Sequence, residues 1–363
     1  MKKIFGLLVI LISPLILADY ATGVKLYNEG KYEEALLRFE ELMREQPDQW
    51  QSFYYGGLCY QKLNKIDKAK EAFEKALSLE NNISIRLPLS QIYLNEKNYE
   101  KVIKTLEIEG LKDLKVELKK PIYKMLATSY YALGKFSEAI PCYREYLILE
   151  SDPTIKFYLG RCLYKTGNLE EAAQVMEEAV KADPEYLDAL SLLATVYLEL
   201  VSSKPQKKDF YLEQAEKIGQ KLANISDEYN FLLAKIYMMN GKYPQANTYF
   251  EKATNQKNKE QSCYAFYYLG FVRAKLENFK GALSAFDSAE KCLKDENALK
   301  KIYCQKGLIY HSQSDFHRAI ELYEKGSCSK ELIDQARAGK QASESLKKMQ
   351  ELIEQLQDLT QMK

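Results

Sequence analysis

A small residue returns about every 34 positions along most of this chain, and that period decides what it can fold into. The segments align on an alanine that stands between two large apolar residues. They read Tyr32-Ala35-Phe39, Ile66-Ala69-Phe73, Tyr99-Val102-Leu106, Phe136-Ala139-Tyr143 and Leu169-Ala172-Met176, then Tyr243-Ala246-Phe250, Phe279-Ala282-Phe286 and Phe316-Ala319-Tyr323. Twelve residues before each alanine position stands a second small residue: Gly23, Gly57, Ser90, Ala127, Gly160, Ala234, Gly270 or Gly307. Apolar spacings of three and four are helical. Two small columns on helices joined by a short turn let those helices cross closely, while the large residues fill the space beside them. Turn residues fall between the columns, as in Asn28-Glu29-Gly30, Leu133-Gly134, Thr166-Gly167-Asn168 and Asn240-Gly241. Pro47 and Pro184 close two units where a helix must end.

A repeat array lengthens without adding separate cores, so 363 residues need not mean two or three globular domains. A further unit from Leu187 to about Ser226 keeps Ala194 and Tyr197, then inserts Ser202 to Lys208 before Ala215. The insert is expected to be an extended, exposed loop, and counting this unit gives about nine.

The pattern resembles the tetratricopeptide repeat family over nearly all of the chain after the first 18 residues. Trp50 to Asn82 and Pro153 to Glu185 match best, the latter carrying Leu159-Gly160, Gly167, Ala172, Ala179 and Pro184 at the family's spacing. The third unit departs, with Val102 for alanine and a weak ending at Glu109-Gly110-Leu111. The resemblance implies an all-α fold, a right-handed superhelical solenoid of helix-turn-helix repeats. It also implies that the first helices line a concave groove that binds extended or helical segments of partner proteins.

The ends read differently. Lys2 and Lys3 precede an uncharged apolar run from Ile4 to Leu17, and Ile16-Leu17-Ala18 offers a small-residue cleavage site. The run is shorter than the roughly 20 residues of a membrane span. Residues 1–18 are therefore expected to be a cleaved export signal, with Asp19 the first residue of the mature chain and an uncleaved anchor as the alternative. If the source is bacterial, the destination is the periplasm or cell envelope. Residues 19–328 form the array and 329–363 a terminal helix. In that helix Leu346, Met349, Ile353 and Leu356 make one apolar stripe. It suits either a cap on the last repeat or a short coiled coil that forms oligomers.

Lys plus Arg number 52 against 51 Asp plus Glu, so nothing attracts nucleic acid or an anionic membrane. Catalysis needs a nucleophile, a metal or an acid–base constellation. The two histidines, His311 and His317, flank a turn, and no phosphate loop or nucleophile elbow is present. No CxxC or Cys/His spacing suggests zinc. No enzyme activity, metal or cofactor is expected. Of seven cysteines, Cys59, Cys142 and Cys162 sit among helix-periodic apolar residues and read as buried thiols. If a disulfide forms, Cys263 with Cys292 is favoured, because both lie almost equally far from the turn near Glu277. Cys292 with Cys304 is the alternative.

What remains is a surface for protein or peptide partners. One first-helix column reads Tyr20, Tyr54, Leu87, Lys124, Phe157, Ser191, Phe231, Tyr267 and Cys304. A second, four residues on and so on the same face, includes Gln91, Arg161, Lys235 and Phe271. Some family members bind a partner's C-terminal carboxylate through Lys and Asn in these columns, and that set is missing here. The candidate contacts are Tyr20, Tyr54, Gln91, Lys124, Phe157, Arg161, Phe231, Lys235, Tyr264, Tyr267 and Phe271. Each aromatic could instead pack between repeats. The expected role is a scaffold that assembles a cell-envelope complex. A chaperone for secreted or outer-membrane chains, or a membrane-tethered structural subunit, is the alternative.

Overall fold

The computed structural model describes the backbone of residues 19–361 and the side chains of residues 19–352. The expected export signal lies outside the described residues. Among those described there are helices and no strand.

The chain divides into two units, 1–182 and 183–363. The first holds five helix hairpins. They are α1 (19–28) with α2 (Tyr32–Glu45), α3 (Trp50–Lys62) with α4 (Ile66–Leu79), and α5 (Ile83–Asn95) with α6 (Tyr99–Leu106). Then come α7 (Val116–Ala132) with α8 (Phe136–Leu149), and α9 (Pro153–Lys165) with α10 (Leu169–Ala182). The second unit holds four hairpins and a last helix. They are α11 (Leu187–Ser203) with α12 (Lys208–Ile225), α13 (Asn230–Met239) with α14 (Tyr243–Ala253), α15 (Lys259–Lys275) with α16 (Phe279–Cys292), and α17 (Glu296–Ser312) with α18 (Phe316–Lys325). The last helix is α19 (Lys330–Gln361).

The two small columns do the work expected of them. Ala35, Ala69, Val102, Ala139, Ala172, Ala246, Ala282 and Ala319 are fully buried where the second helix crosses the first. The facing small residue makes room for the large residue four positions later. A Cβ on Gly57 would lie 2.7 Å from the Phe73 ring, and one on Gly270 would lie 2.6 Å from the Phe286 ring. Phe39, Phe73, Leu106, Phe250, Phe286 and Tyr323 are buried in this way.

Eight of the hairpin turns share one geometry, a left-handed residue two places before the second helix. Gly30, Gly134, Gly167 and Gly241 fill that place without cost, but so do Asn64, Lys97, Glu277 and Ser314, whose φ values are +57°, +59°, +59° and +61°. A side chain there costs about 1–2 kcal/mol per residue. Glu277 is exposed. Glu277→Gly should therefore raise stability by about 1 kcal/mol, part of the gain being offset by glycine's greater freedom when unfolded. A higher urea midpoint at unchanged slope is the expected reading. An equal or lower midpoint would mean that the glutamate side chain itself holds the turn.

Two units depart from the pattern. In the sixth, the insert is exposed but not extended. α11 and α12 lengthen to 17 and 18 residues, and one 3-10 turn, Pro205–Lys207, joins them. Gln206, Lys207 and Lys208 are compatible with helix, so the extra residues are absorbed as helical turns. Four places after Ala215 the large residue is replaced by Gly219, and Ile236 and Leu233 of the next hairpin press into the space. In the third, α6 stops after eight residues. Arg86 of α5 donates to the Thr105 carbonyl at its frayed end and to Asn81 Oδ1 at 2.8 Å. The missing turns leave a cleft of about 600 Å³ beside Ile108, Leu111, Tyr123, Pro141 and Cys142.

α19 acts as a cap only at its start. Leu332, Ile333 and Ala336 pack against Ala319 and Tyr323 of α18. No helix among the described residues is long and apolar enough to cross a membrane.

Candidate partner-binding surface

In the first unit, Tyr20 of α1 and Tyr54 of α3 are half-buried and converge on one ring cluster. Tyr55 stacks on the buried Phe39 of the preceding hairpin, 5.4 Å between centroids. Tyr20 and Tyr54 meet Tyr55 edge-on, at 5.9 and 5.3 Å. The same arrangement recurs in the second unit. Tyr268 stacks on Phe250 at 5.6 Å, and Phe231 and Tyr267 meet Tyr268 edge-on at 5.9 and 4.9 Å. Between α8 and α9, Tyr158 stacks on Tyr143, and Phe157 lies against Tyr158. Edge-on and offset rings favour each other electrostatically as well as by area.

These contacts revise the expected surface. Phe157 is only 7% exposed and belongs to the packing rather than to the surface. Tyr20, Tyr54, Phe231, Tyr267 and Phe271 are shared, each packed on one side and open on the other. Gln91 is exposed and turns to Asn95 on its own helix, 3.0 Å away. Lys124 and Arg161 are exposed and sit over the rings of Tyr146 and Tyr131. Lys235 is half-buried. The signal for the clusters was present in the sequence, as the ring pairs Tyr54-Tyr55, Phe157-Tyr158 and Tyr267-Tyr268. Each pair stands three and two places before a small residue.

A second recurring contact ties neighbouring hairpins. The residue three places after the small position reaches the residue that follows the large position of the previous hairpin. Tyr60 donates to Glu40 at 2.6 Å and Tyr93 to Glu74 at 2.5 Å, and Tyr130 donates to Glu107. Arg273 to Glu251 and Gln220 to Tyr237 are the equivalents in the second unit. Burial first, and then the hydrogen bond to the carboxylate, raises the pKa of Tyr60, Tyr93 and Tyr130 above the usual phenol value. A folded value above the unfolded one near 10 means stability that is complete below pH 10 and is lost as pH rises further. The first unit's melting temperature should thus fall above pH 10. In the triple variant Tyr60→Phe, Tyr93→Phe, Tyr130→Phe that dependence should flatten. An equally steep fall in the variant would place the alkaline sensitivity elsewhere.

A further patch lies in the second unit. Tyr264 is half-buried, its hydroxyl 3.0 Å from Asp295. It stands at a cleft of about 520 Å³ lined also by Lys259, Glu260, Leu293 and Lys294. Cys263 and Cys292 line the same cleft and are bonded to each other, with Cα atoms 5.8 Å apart. Cys304 pairs with Cys328, not with Cys292. On the neighbouring first helix, Leu308 is 40% exposed. Cys59, Cys142 and Cys162 are free, and burial pushes their thiols up to about 12, about 11 and about 12, so they are unreactive. Among the described residues no group of His, Cys, Asp and Glu could hold a metal. The surface offers aromatic faces, an aliphatic side chain and scattered cations, which suits contact with a polypeptide.

Residues 124–202 and 300–326 match two family models described as tetratricopeptide repeat, and residues 28–108 match one described as anaphase-promoting complex, cyclosome, subunit 3. The TPR repeat-containing protein YpiA of Bacillus subtilis is 28% identical over 246 residues, 65% of this chain and 54% of its own. Hsp70-Hsp90 organizing protein 1 of Glycine max is 25% identical over 277 residues, 75% and 40% of the two chains. The chain thus spans about half the length of the curated relatives it matches. A tetratricopeptide repeat protein from Parabacteroides merdae superposes with a TM-score of 0.50 at 16% identity, covering 72% of this chain and 99% of that one. Columns, hairpins, turns and relatives agree, and the chain is a tetratricopeptide repeat protein.

Proposed function

We propose that this chain is an exported scaffold that holds a partner polypeptide along its first helices and so assembles a complex of the cell envelope. The observation that carries the binding role is the set of half-open rings in the second unit, Tyr264, Tyr267 and Phe271 on α15, with Leu308 beyond them on α17. Apolar side chains left part-open on a folded surface favour a partner. One relative is by its printed name an organizing protein for Hsp70 and Hsp90, which supports a scaffold. Export is supported by the basic and apolar start of the sequence and by two disulfides in one unit, since such bonds persist in oxidising compartments.

Tyr267→Ala would confuse the test, because that ring packs on Tyr268 and near Phe286. Tyr264→Ser with Leu308→Asp disturbs less of the interior. A crosslinked capture from the native host identifies the partner, and titration of the purified pair follows. The double variant should bind about thirtyfold more weakly, the effect of about 2 kcal/mol at a central contact, with unchanged circular dichroism. Unchanged affinity in a folded variant would put the surface elsewhere. Mass spectrometry of the exported protein should find Asp19 first. Met1 retained in a membrane fraction would refute a cleaved signal.

A further inference from the structure

The last helix outruns the fold it caps. α19 is 32 residues long, yet its contacts with α18 come from its first third, where Leu332, Ile333 and Ala336 pack, Arg337 pairs with Glu324 and Gly339 lies against the Phe316 ring. Every described side chain from Gln341 to Leu352 is exposed. Among them Leu346, Met349 and Leu352 are 53%, 55% and 59% exposed.

The sequence gives this segment a heptad register. With Leu346 at position a, Met349 falls at d, and Ile353 and Leu356 repeat a and d, while Leu352 and Leu359 fall at g. The charged residues from 340 to 361 are Lys340, Glu344, Lys347, Lys348, Glu351, Glu354 and Asp358, and all fall at b, c or f. Positions e and g carry Ser343, Ser345, Gln350 and Gln357 besides the two leucines. Charges at e and g are what normally select one coiled-coil partner against another. Here nothing at those edges opposes a second copy of the same helix.

The outer charges favour one orientation. Lys340, Lys347 and Lys348 lie in the first half, and Glu351, Glu354 and Asp358 in the second, with Glu344 the exception. Antiparallel alignment sets basic half against acidic half and opposes the two helix dipoles favourably. Parallel alignment sets like against like.

We infer that α19 beyond Lys340 pairs with the same segment of a second copy, antiparallel, through the stripe that begins at Leu346, Met349 and Leu352. The inference does not depend on the aromatic surface. The four seam positions from Leu346 to Leu356 span two heptads, fewer than the three or four that sustain a coiled coil, so the dimer is weak and forms reversibly with concentration.

Sedimentation of the chain from Asp19 to Lys363, which contains every described element, tests this. The weight-average mass should rise from monomer to dimer across the micromolar range. Leu346→Glu with Leu352→Glu should remain monomeric at every concentration, with unchanged helicity, since both side chains are exposed. Lys347→Glu with Lys348→Glu should weaken the dimer about twofold to threefold at low salt, because charges at b and c face away from the seam and act on the partner only through solvent. Adding Glu351→Lys and Glu354→Lys to that variant should restore it. A chain that stays monomeric throughout overturns the proposal, including one whose helix is covered only by a different co-purifying protein. So does a dimer that survives the leucine substitutions. A dimer lost with the leucines but blind to both charge reversals overturns the antiparallel arrangement.

Discussion

Removing the two disulfides should unfold the end of the array long before its beginning. Cys263 and Cys292 fasten the open end of the hairpin α15–α16, and Cys304 and Cys328 tie α17 to the residues just past α18. The bridges enclose 29 and 24 residues of sequence separation. Restricting the unfolded chain in loops of that size is worth about 3.5 kcal/mol each. The described cysteines of the first unit, Cys59, Cys142 and Cys162, are free, so that unit gains nothing from oxidation. Serine at all four bridged positions should lower the second unit's melting temperature by about 15 °C or more, at about 2–4 °C per kcal/mol for a unit of this size. The first unit should melt as before. Hydrogen exchange with and without reductant reads the two units separately. Equal protection of α15 to α18 in both conditions would mean that helix packing alone holds them.

The second bridge shows where the sequence stopped being readable. Cys263 and Cys292 could be matched by their equal distance from one turn. Cys304 offered the same argument only toward Cys292, because Cys328 lies beyond the periodic part of its hairpin. What brings Cys328 back is a reversal of the backbone at Gly326 and Ser327, the latter at φ +51°. Gly326 has both sulfurs of that bridge within 2.9 Å of where a Cβ would stand, so a larger residue there would displace the bond. Nothing in the spacing announces such a turn. Asn64 and Lys97 hid two other turns in the same way, since the left-handed position is usually betrayed by glycine, whereas the turns at Glu277 and Ser314 were placed by the periodic segments on either side of them. The columns were legible for the opposite reason: close crossing allows few residue types at each place. The binding surface was legible only in outline. Periodicity puts Phe157 and Tyr54 on the same face, but whether a ring there faces a partner or a neighbouring ring depends on what stands one residue later. Tyr158 stacks on Tyr143 and Phe157 is buried beside it, whereas Lys124, in the same column, is exposed.

The close crossing itself should carry the largest single-site effect. Phe286 is fully buried against Gly270, and its hairpin also buries Ala282, Ala285 and Ala289. Phe286→Ala removes a ring from a site whose walls are two helices fixed by a turn at one end and a disulfide at the other. They cannot collapse into the space, so the loss should fall at about 3–5 kcal/mol. Gly270→Leu errs the other way. Even its Cβ would sit 2.6 Å from the Phe286 ring, so one helix must move, at a cost of about 3 kcal/mol. The two changes are complementary in volume. Combined, Gly270→Leu with Phe286→Ala should cost less than the sum of the singles by about 1–3 kcal/mol. The sixth hairpin makes the exchange plausible, because Gly219 there stands at the large position and its neighbours fill the room. Urea midpoints of the wild type, both single variants and the double variant give the coupling directly. Strict additivity would show that the small column is not there to seat the ring, and that its recurrence along the chain has another cause.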